Sequence, residues 1–391
     1  MSWRQVALRE VGQIVGGGTP KTSVSENFGD DYAWITPKDL SLQKSRYVSR
    51  GARNISTQGL MSSSAKLLPA GTVLMSSRAP IGLTAIAAQP VTTNQGCRSF
   101  IPGPGVDSLF MYYLLGSMKP EFERRANGST FKEISGSTLA EIEISLPSLL
   151  EQRTISATLG ALDDKIESNR RAIAKLDELF HAMWRREYDG LPVESEAPLS
   201  EHVTTQYGLT ASASSDAYGD KFLRVTDINK QNWIDWTRVP FAPTDDTSKA
   251  KYSLSKGDLL VARMADPGKS AIYDGGPTAV FASYLVRLKP SSYEEALFIY
   301  GFLKSSEYLD YATGAMTGSV QKNMNAKVIV AASLRWPDSS TLSRFAEHAG
   351  ALRDKIAQIV EESSRLSTLR DALLSELLSG RIRTGDPEVA S

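Results

Sequence analysis

Two stretches of the chain carry seam positions at alternating intervals of four and three residues. In the first, the stripe runs through Ile155, Leu159, Leu162, Ile166, Asn169, Ile173, Leu176, Phe180 and Met183. In the second it runs through Phe345, Ala349, Leu352, Ile356, Ile359, Ser363, Leu366, Arg370, Leu373 and Leu377. A mean spacing of 3.5 marks a helix that packs along one seam against another helix. Asp163, Asp164, Lys165, Arg170 and Arg171 lie between the seam positions and face water. The stripe from Ile155 to Met183 covers 29 residues, about 43 Å of helix, more than one small domain needs. The pattern therefore predicts two long helices that pair with each other; a plain amphipathic helix packed on its own globule is the alternative. Asn169 in the first seam would set register or orientation at some cost in stability.

Outside these stripes the apolar runs are short, β-branched and aromatic, and are broken by Gly, Pro, Asn and Ser. Tyr32-Ala33-Trp34-Ile35-Thr36, Thr72-Val73-Leu74-Met75 and Phe222-Leu223-Arg224-Val225-Thr226 read as strands. The same plan occurs twice. Leu109-Phe110-Met111-Tyr112-Tyr113-Leu114-Leu115-Gly116-Ser117 recurs 188 residues later as Leu297-Phe298-Ile299-Tyr300-Gly301-Phe302-Leu303-Lys304-Ser305. Ala161-Leu162-Asp163-Asp164-Lys165-Ile166 recurs at an offset of 190 as Ala351-Leu352-Arg353-Asp354-Lys355-Ile356. Gly128, Ser129, Lys132, Pro147 and Gly190 match Gly318, Ser319, Lys322, Pro337 and Gly380 at the same offset of 190. Matches in one order at nearly one offset define an internal repeat. The fold class is α+β, with two mixed globular blocks in tandem, each closed by a long helix. The expected boundaries are a first block at 1–150, its helix at 151–190 and a linker at 191–198. A second block at 199–340, its helix at 341–380 and a disordered tail at 381–391 follow.

Composition narrows the function. Lys plus Arg and Asp plus Glu are both 44, so the chain as a whole lacks a strongly basic footprint. The balance is uneven, however: residues 1–150 carry 15 basic and 11 acidic residues, so the positive excess lies in the first block. Cys97 is the sole cysteine, which excludes an internal disulfide and a cysteine metal cluster. No apolar run reaches the length of a membrane span and the start lacks a signal-peptide core, so a soluble, cytoplasmic protein is expected.

Candidate catalytic groups are scarce. His181, His202 and His348 have no metal-type partner nearby and read as ordinary helix-face or surface residues. Gly16-Gly17-Gly18-Thr19-Pro20-Lys21-Thr22 lacks phosphate-loop spacing, and Pro20 removes a needed N–H donor. Cys97 beside Arg98 reads as a structural thiol. A chain without a self-contained active site binds rather than catalyses. In the first block basic residues interleave with polar and aromatic ones at Lys38, Lys44, Arg46, Tyr47, Arg50, Arg53 and Asn54. Lys221, Arg224, Lys230, Asn232 and Arg238 lie comparably in the second, among Trp233 and Trp236. Such residues can neutralise phosphates or read base edges.

Several motifs resemble the specificity (S) subunit of type I restriction–modification systems. They are Gly17-Gly18-Thr19-Pro20-Lys21, Ile35-Thr36-Pro37-Lys38-Asp39-Leu40, Leu74-Met75-Ser76-Ser77-Arg78-Ala79-Pro80-Ile81-Gly82, Thr93-Asn94-Gln95-Gly96, Ser145-Leu146-Pro147-Ser148-Leu149-Leu150-Glu151-Gln152-Arg153-Thr154-Ile155, and Leu176-Asp177-Glu178-Leu179-Phe180 leading to Trp184. The second block departs from them: Thr226-Asp227-Ile228 keeps part of one stretch, and Phe281-Ala282-Ser283 stands where Asn94-Gln95-Gly96 stood.

The resemblance implies that each block is a target recognition domain reading one half of a split, asymmetric site on double-stranded DNA. The helices would pair as an antiparallel coiled coil that sets the gap between half-sites. Two methyltransferase (M) subunits would dock on the helices' solvent faces and on Glu187–Pro198, through Arg170, Arg171, Arg185 and Arg186, and restriction (R) subunits would join them. S-adenosylmethionine, ATP and Mg would belong to those partners, with no cofactor, catalytic residue or metal in this chain. The expected DNA-binding residues are Lys21, Lys38, Arg46, Arg50, Arg53, Arg78 and Lys132 in the first block. In the second they are Lys221, Arg224, Lys230, Arg238, Arg263 and Lys322. Arg78 and Arg263 have a structural alternative, holding a turn near Gly82 or Gly268. A coiled-coil assembly scaffold without base readout is the second reading, and a stand-alone enzyme the third.

Overall fold

The fold is that of a computed structural model, which describes residues 3–43, 45–78, 80–128, 132–317 and 323–383. Two compact units emerge: Met1–Glu167 with Thr368–Ser391, and Ser168–Ser367. Each thus holds one globular block and a stretch of both long helices.

In the first unit, a sheet runs in the order Gly12–Gly16, Arg98–Pro102, Val73–Met75, Thr84–Ala87, Tyr47–Val48. Arg4–Ala7 pairs antiparallel with Glu143–Leu146, and Trp34–Ile35 pairs parallel with Thr92–Thr93. The strand Val73–Met75 is buried on both faces, which explains its unbroken apolar run. Val73 and Met75 face the core built on Phe100, Phe110 and Leu115, whereas Leu74 faces the one built on Ile35, Val91 and Cys97. The period of two in side-chain direction divides them. The helix Ser108–Ser117 closes the first core; Asp107 caps it by accepting from Phe110 N at 2.8 Å.

The second unit repeats this plan. Its sheet runs Val203–Tyr207, Leu285–Pro290, Leu259–Ala262, Ser270–Ile272, and Asp220–Leu223 pairs parallel with Ala279–Phe281. Leu259 and Val261 enter one core, Leu260 and Ala262 another. The helix Tyr293–Leu303 is buried along nearly its whole length. It receives Trp184 at Gly301, where any side chain would collide with the indole.

The long helices span Leu149–Asp189 and Ser339–Leu378. Their apolar stripes do two jobs, which corrects the expectation of one continuous helix-to-helix seam. In the first unit Ile155, Leu159 and Leu377 belong to the core of the block, with Leu373 packed against it. In the second, Phe180, Phe345 and Ala349 enter the block's core, with Met183 and Leu352 packed on it. Only Ile173, Ile356 and Ile359, with Leu176, make a cluster whose members are chiefly from the two helices. The amphipathic-helix alternative therefore accounts for the ends of the stripe and the seam reading for its middle. In that middle Asn169 Nδ2 donates to Glu362 Oε2 at 2.9 Å and to Ser363 Oγ at 3.1 Å. Arg353, ten residues before Ser363, bonds Asp177, so numbers fall on one helix as they rise on the other. Past Gly380, Arg381 N still donates to Glu376 O and Ile382 packs on the first unit's core; residues 384–391 lie outside the described residues.

Candidate nucleic-acid interface

Three motif segments of the first block converge on a fourth, at Thr93–Arg98. Gly17 lies so close to the carbonyls of Thr93 and Asn94 that a Cβ would sit 2.0 Å from Asn94 O. Gly18 N donates to Thr93 O at 2.9 Å, Trp34 Nε1 donates to Gly18 O at 3.0 Å, and Thr19 hydrogen-bonds Gln95. Thr36 caps the helix Pro37–Leu42 with Asp39: Thr36 N donates to Asp39 Oδ2 at 2.8 Å, and Pro37 at N1 needs no partner. Gly96 touches Pro37 and the Nε of Arg78. Arg98 Nη2 reaches Glu133 Oε1 at 3.1 Å, and Arg78 comes within 4.0 Å of the same carboxylate.

Around this junction Lys21, Lys38 and Lys132 are exposed and form no ion pair among the described residues. Lys21 follows Thr19 by two positions, Lys38 lies in the helix whose first residue, Pro37, approaches Gly96, and Lys132 precedes Glu133. These three suit contacts with an anionic backbone. Other expected DNA contacts are otherwise engaged. Arg46 is a correction: it is 8% exposed, donates to Gly160 O at 2.8 Å and Tyr113 Oη at 3.3 Å, and pairs with Asp163 and Asp164. Its work is to fasten the block to the first long helix. Arg50 pairs with Asp30 at 2.5 Å, and Arg53 lies over the Phe28 ring; both keep an exposed edge.

The second block repeats the junction in its main chain while its side chains differ. Gly208 presses on Ala282 O as Gly17 presses on Asn94 O. Leu209 N donates to Phe281 O at 2.8 Å, as Gly18 does to Thr93. Ala282 N donates to Leu223 O as Asn94 N does to Ile35 O. Phe281 and Ala282 therefore take the places of Thr93 and Asn94, one residue from the alignment expected. Arg224 N donates to Asp227 Oδ2 at 2.9 Å, the counterpart of Thr36 and Asp39.

Of the second block's expected contacts, Lys230 is exposed and forms no ion pair among the described residues. Arg238 is mostly exposed beside Asp235, and Arg224 holds Asp227 through Nε and Nη2. Lys221, expected to contact phosphate, is turned inward. Its Nζ donates to Val239 O at 2.7 Å over the Phe241 ring, and burial pushes its ammonium below the usual range. Arg263 is not the counterpart of Arg78: Met324 N donates to Arg263 O as Ile134 N does to Ser77 O. Its side chain bonds Asn323 Oδ1 at 3.3 Å and lies over Tyr207, which with Tyr284 adds exposed aromatic surface. Among the described residues, neither Arg78 nor Arg263 directs a side-chain bond at the turns of Gly82 or Gly268. Lys322 lies outside the described residues.

Sequence reasoning missed a buried network in the second unit. Arg353, 1% exposed, donates to Asp177 Oδ1 at 3.2 Å and to Asp274 Oδ2 at 2.5 Å. Asn232 Nδ2 donates to Asp177 Oδ2 at 2.6 Å, and Tyr300 Oη donates to Asn232 O at 3.2 Å. Both helices, the apolar helix and two loops of the block meet there. The one visible signal was Arg353 in place of Asp163 within an otherwise identical repeated segment.

Residues 1–178 match the family model described as type I restriction modification DNA specificity domain. This segment is thus similar to the specificity subunits of type I restriction systems. The MjaIX specificity subunit of Methanocaldococcus jannaschii is 43% identical over 179 residues, covering 45% of this chain and 41% of that protein. The HindI specificity subunit of Haemophilus influenzae is 31% identical over 176 residues, 43% of this chain and 38% of that one. The matched segments thus span less than half of either relative. Among solved structures, the S subunit from M. genitalium superposes with a TM-score of 0.59 at 17% identity, over 96% of both chains. That likeness shows a shared fold over nearly the whole chain. No described helix is long and apolar enough to cross a membrane, and no described cluster of His, Cys, Asp or Glu could hold a metal ion.

Proposed function

We propose that this chain is the DNA-recognition subunit of a type I restriction–modification complex, itself non-catalytic. Each block reads one half of a bipartite, asymmetric site, and the two long helices pair as an antiparallel coiled coil that sets the gap. The match of residues 1–178 to the specificity family carries this reading, and the second block's repetition of the same main-chain junction supports a reader at each half. Side chains that differ on a shared frame suit unlike half-sites, as identical ones would suit a palindrome. Lys21, Lys38, Lys132 and Lys230 serve as phosphate contacts, and Arg50, Arg53, Arg78, Arg224, Arg238 and Arg263 supply donors near the reading loops. M subunits bring S-adenosylmethionine and methyl transfer; R subunits bring ATP- and Mg-dependent cleavage; assembly takes place in the cytoplasm.

Methylome sequencing of cells with and without the gene tests the proposal. A gene-dependent, interrupted two-part methylation motif is the expected result. Intact assembly with M subunits but no enriched motif in a random duplex pool would favour the scaffold reading instead.

A further inference from the structure

The repeated segment Ala161–Ile166 and its copy Ala351–Ile356 differ at one position, where Asp163 is exchanged for Arg353. Both residues are used across helices. In the first unit Arg370 Nη1 donates to Asp163 Oδ1 at 2.8 Å. In the second, Arg353 Nη1 donates to Asp177 Oδ1 at 3.2 Å, with both side chains buried. At both of these positions the first long helix bears an acid and the second a base, and the more exposed Glu187–Arg344 pair, at 3.1 Å, has the same sense.

We infer that these four residues form a charge code that directs each long helix to the other and away from a second copy of itself. Carrying the repeat offset of 190 through the antiparallel pairing shows why. Two first helices would set Asp163 of one opposite Asp177 of the other, twice over. Two second helices would set Arg353 opposite Arg370, again twice. Only the unlike pair has opposite charges at both places. Bulk salt screens such half-buried groups weakly, and like charges held together in an interface select against the wrong partner. A first-helix pair would also deprive Asp177 of Asn232, whose Nδ2 lies at 2.6 Å and which the second half of the chain supplies. The fitting partner for the first helix is an antiparallel helix presenting guanidinium groups at these two places. The inference does not depend on what the blocks bind.

Disulfide trapping in the full-length chain tests it. Ala172→Cys lies near the midpoint of a first-with-first pair and cross-links two chains only when two first helices lie together; Glu362→Cys, its counterpart at the repeat offset, reports the second-with-second pair. Cys97 is fully buried and does not compete. With native charges neither reporter cross-links. Combining Asp177→Arg with Arg370→Asp makes the unlike pair repulsive and both like pairs attractive. The cross-linked fraction then rises about tenfold or more, as a charge preference of this size requires. Asp177→Asn removes the native pair without creating a like one and does not cross-link. If circular dichroism shows the double variant unfolded, Arg370→Asp alone with Glu362→Cys gives the same readout at a site whose side chain is 28% exposed. A folded Arg370→Asp chain that stays uncross-linked overturns the code. So does cross-linking with native charges, or cross-linking by Asp177→Asn as strong as by the reversal.

Discussion

Replacing Arg353 by Met keeps most of its volume but leaves Asp177 and Asp274, both nearly inaccessible, without their guanidinium. Removing one partner of a buried ion pair costs about 3–5 kcal/mol, because the remaining charge has lost both water and its counter-ion. For a unit of this size each kcal/mol lowers the melting temperature by about 2–4 °C, so a loss of about 6–20 °C is expected. The effect depends on pH. Asp274 already titrates above the ordinary carboxylate range because burial opposes its charge, while Arg353 pulls the other way. Without Arg353 the folded state holds that proton more tightly still. A carboxyl whose folded pKa is raised contributes stability that is complete below its unfolded pKa and is lost as pH rises through the folded value. Arg353→Met should therefore regain part of its deficit between about pH 8 and about pH 5, across the range above the unfolded carboxylate pKa. Thermal unfolding followed by far-ultraviolet circular dichroism at several pH values measures both effects. A loss under about 2 °C, or a deficit that deepens on acidification, would refute the reasoning.

Arg46→Ala should destabilise the first unit by about 2 kcal/mol through its lost charged hydrogen bonds while leaving base preference in a selected duplex pool unchanged; a relaxed preference would return Arg46 to the reading surface. Gly301→Ala should cost about 1–3 kcal/mol, seen as a lower denaturation midpoint, since its methyl would lie 2.2 Å from the Trp184 ring. Lys21→Ala and Lys38→Ala should weaken binding to all duplexes alike, each reducing the salt slope by about one. Fluorescence anisotropy across a salt series would show it, and a sequence-selective loss would assign them to base contacts instead.

Periodicity exposed much of the architecture. The four-three stripe marked both long helices, and the two-block repeat followed from self-comparison. Periodicity did not say what a stripe packs on, because the core of a block and a neighbouring helix both accept an apolar ridge. Ile155 and Phe180 therefore look alike in sequence as seam residues, yet each enters a block's core. The junction at Thr93–Arg98 was marked by motifs, but its logic lies in main-chain bonds that Leu209 and Phe281 make as well as Gly18 and Thr93 do. Charged residues were the least legible. Arg46 and Arg50 are four positions apart in one basic stretch, and only distant partners, Asp163 for one and Asp30 for the other, decide which is buried. The Arg353 network stayed hidden because Asp177, Asn232 and Asp274 are scattered along the sequence.

The junction's main-chain construction has an evolutionary consequence. A frame held by peptide groups constrains few amino-acid identities at its rim, so mutations there can accumulate without a folding penalty. The rim's side chains can therefore change, as they do between the two blocks, while the frame that carries them stays the same.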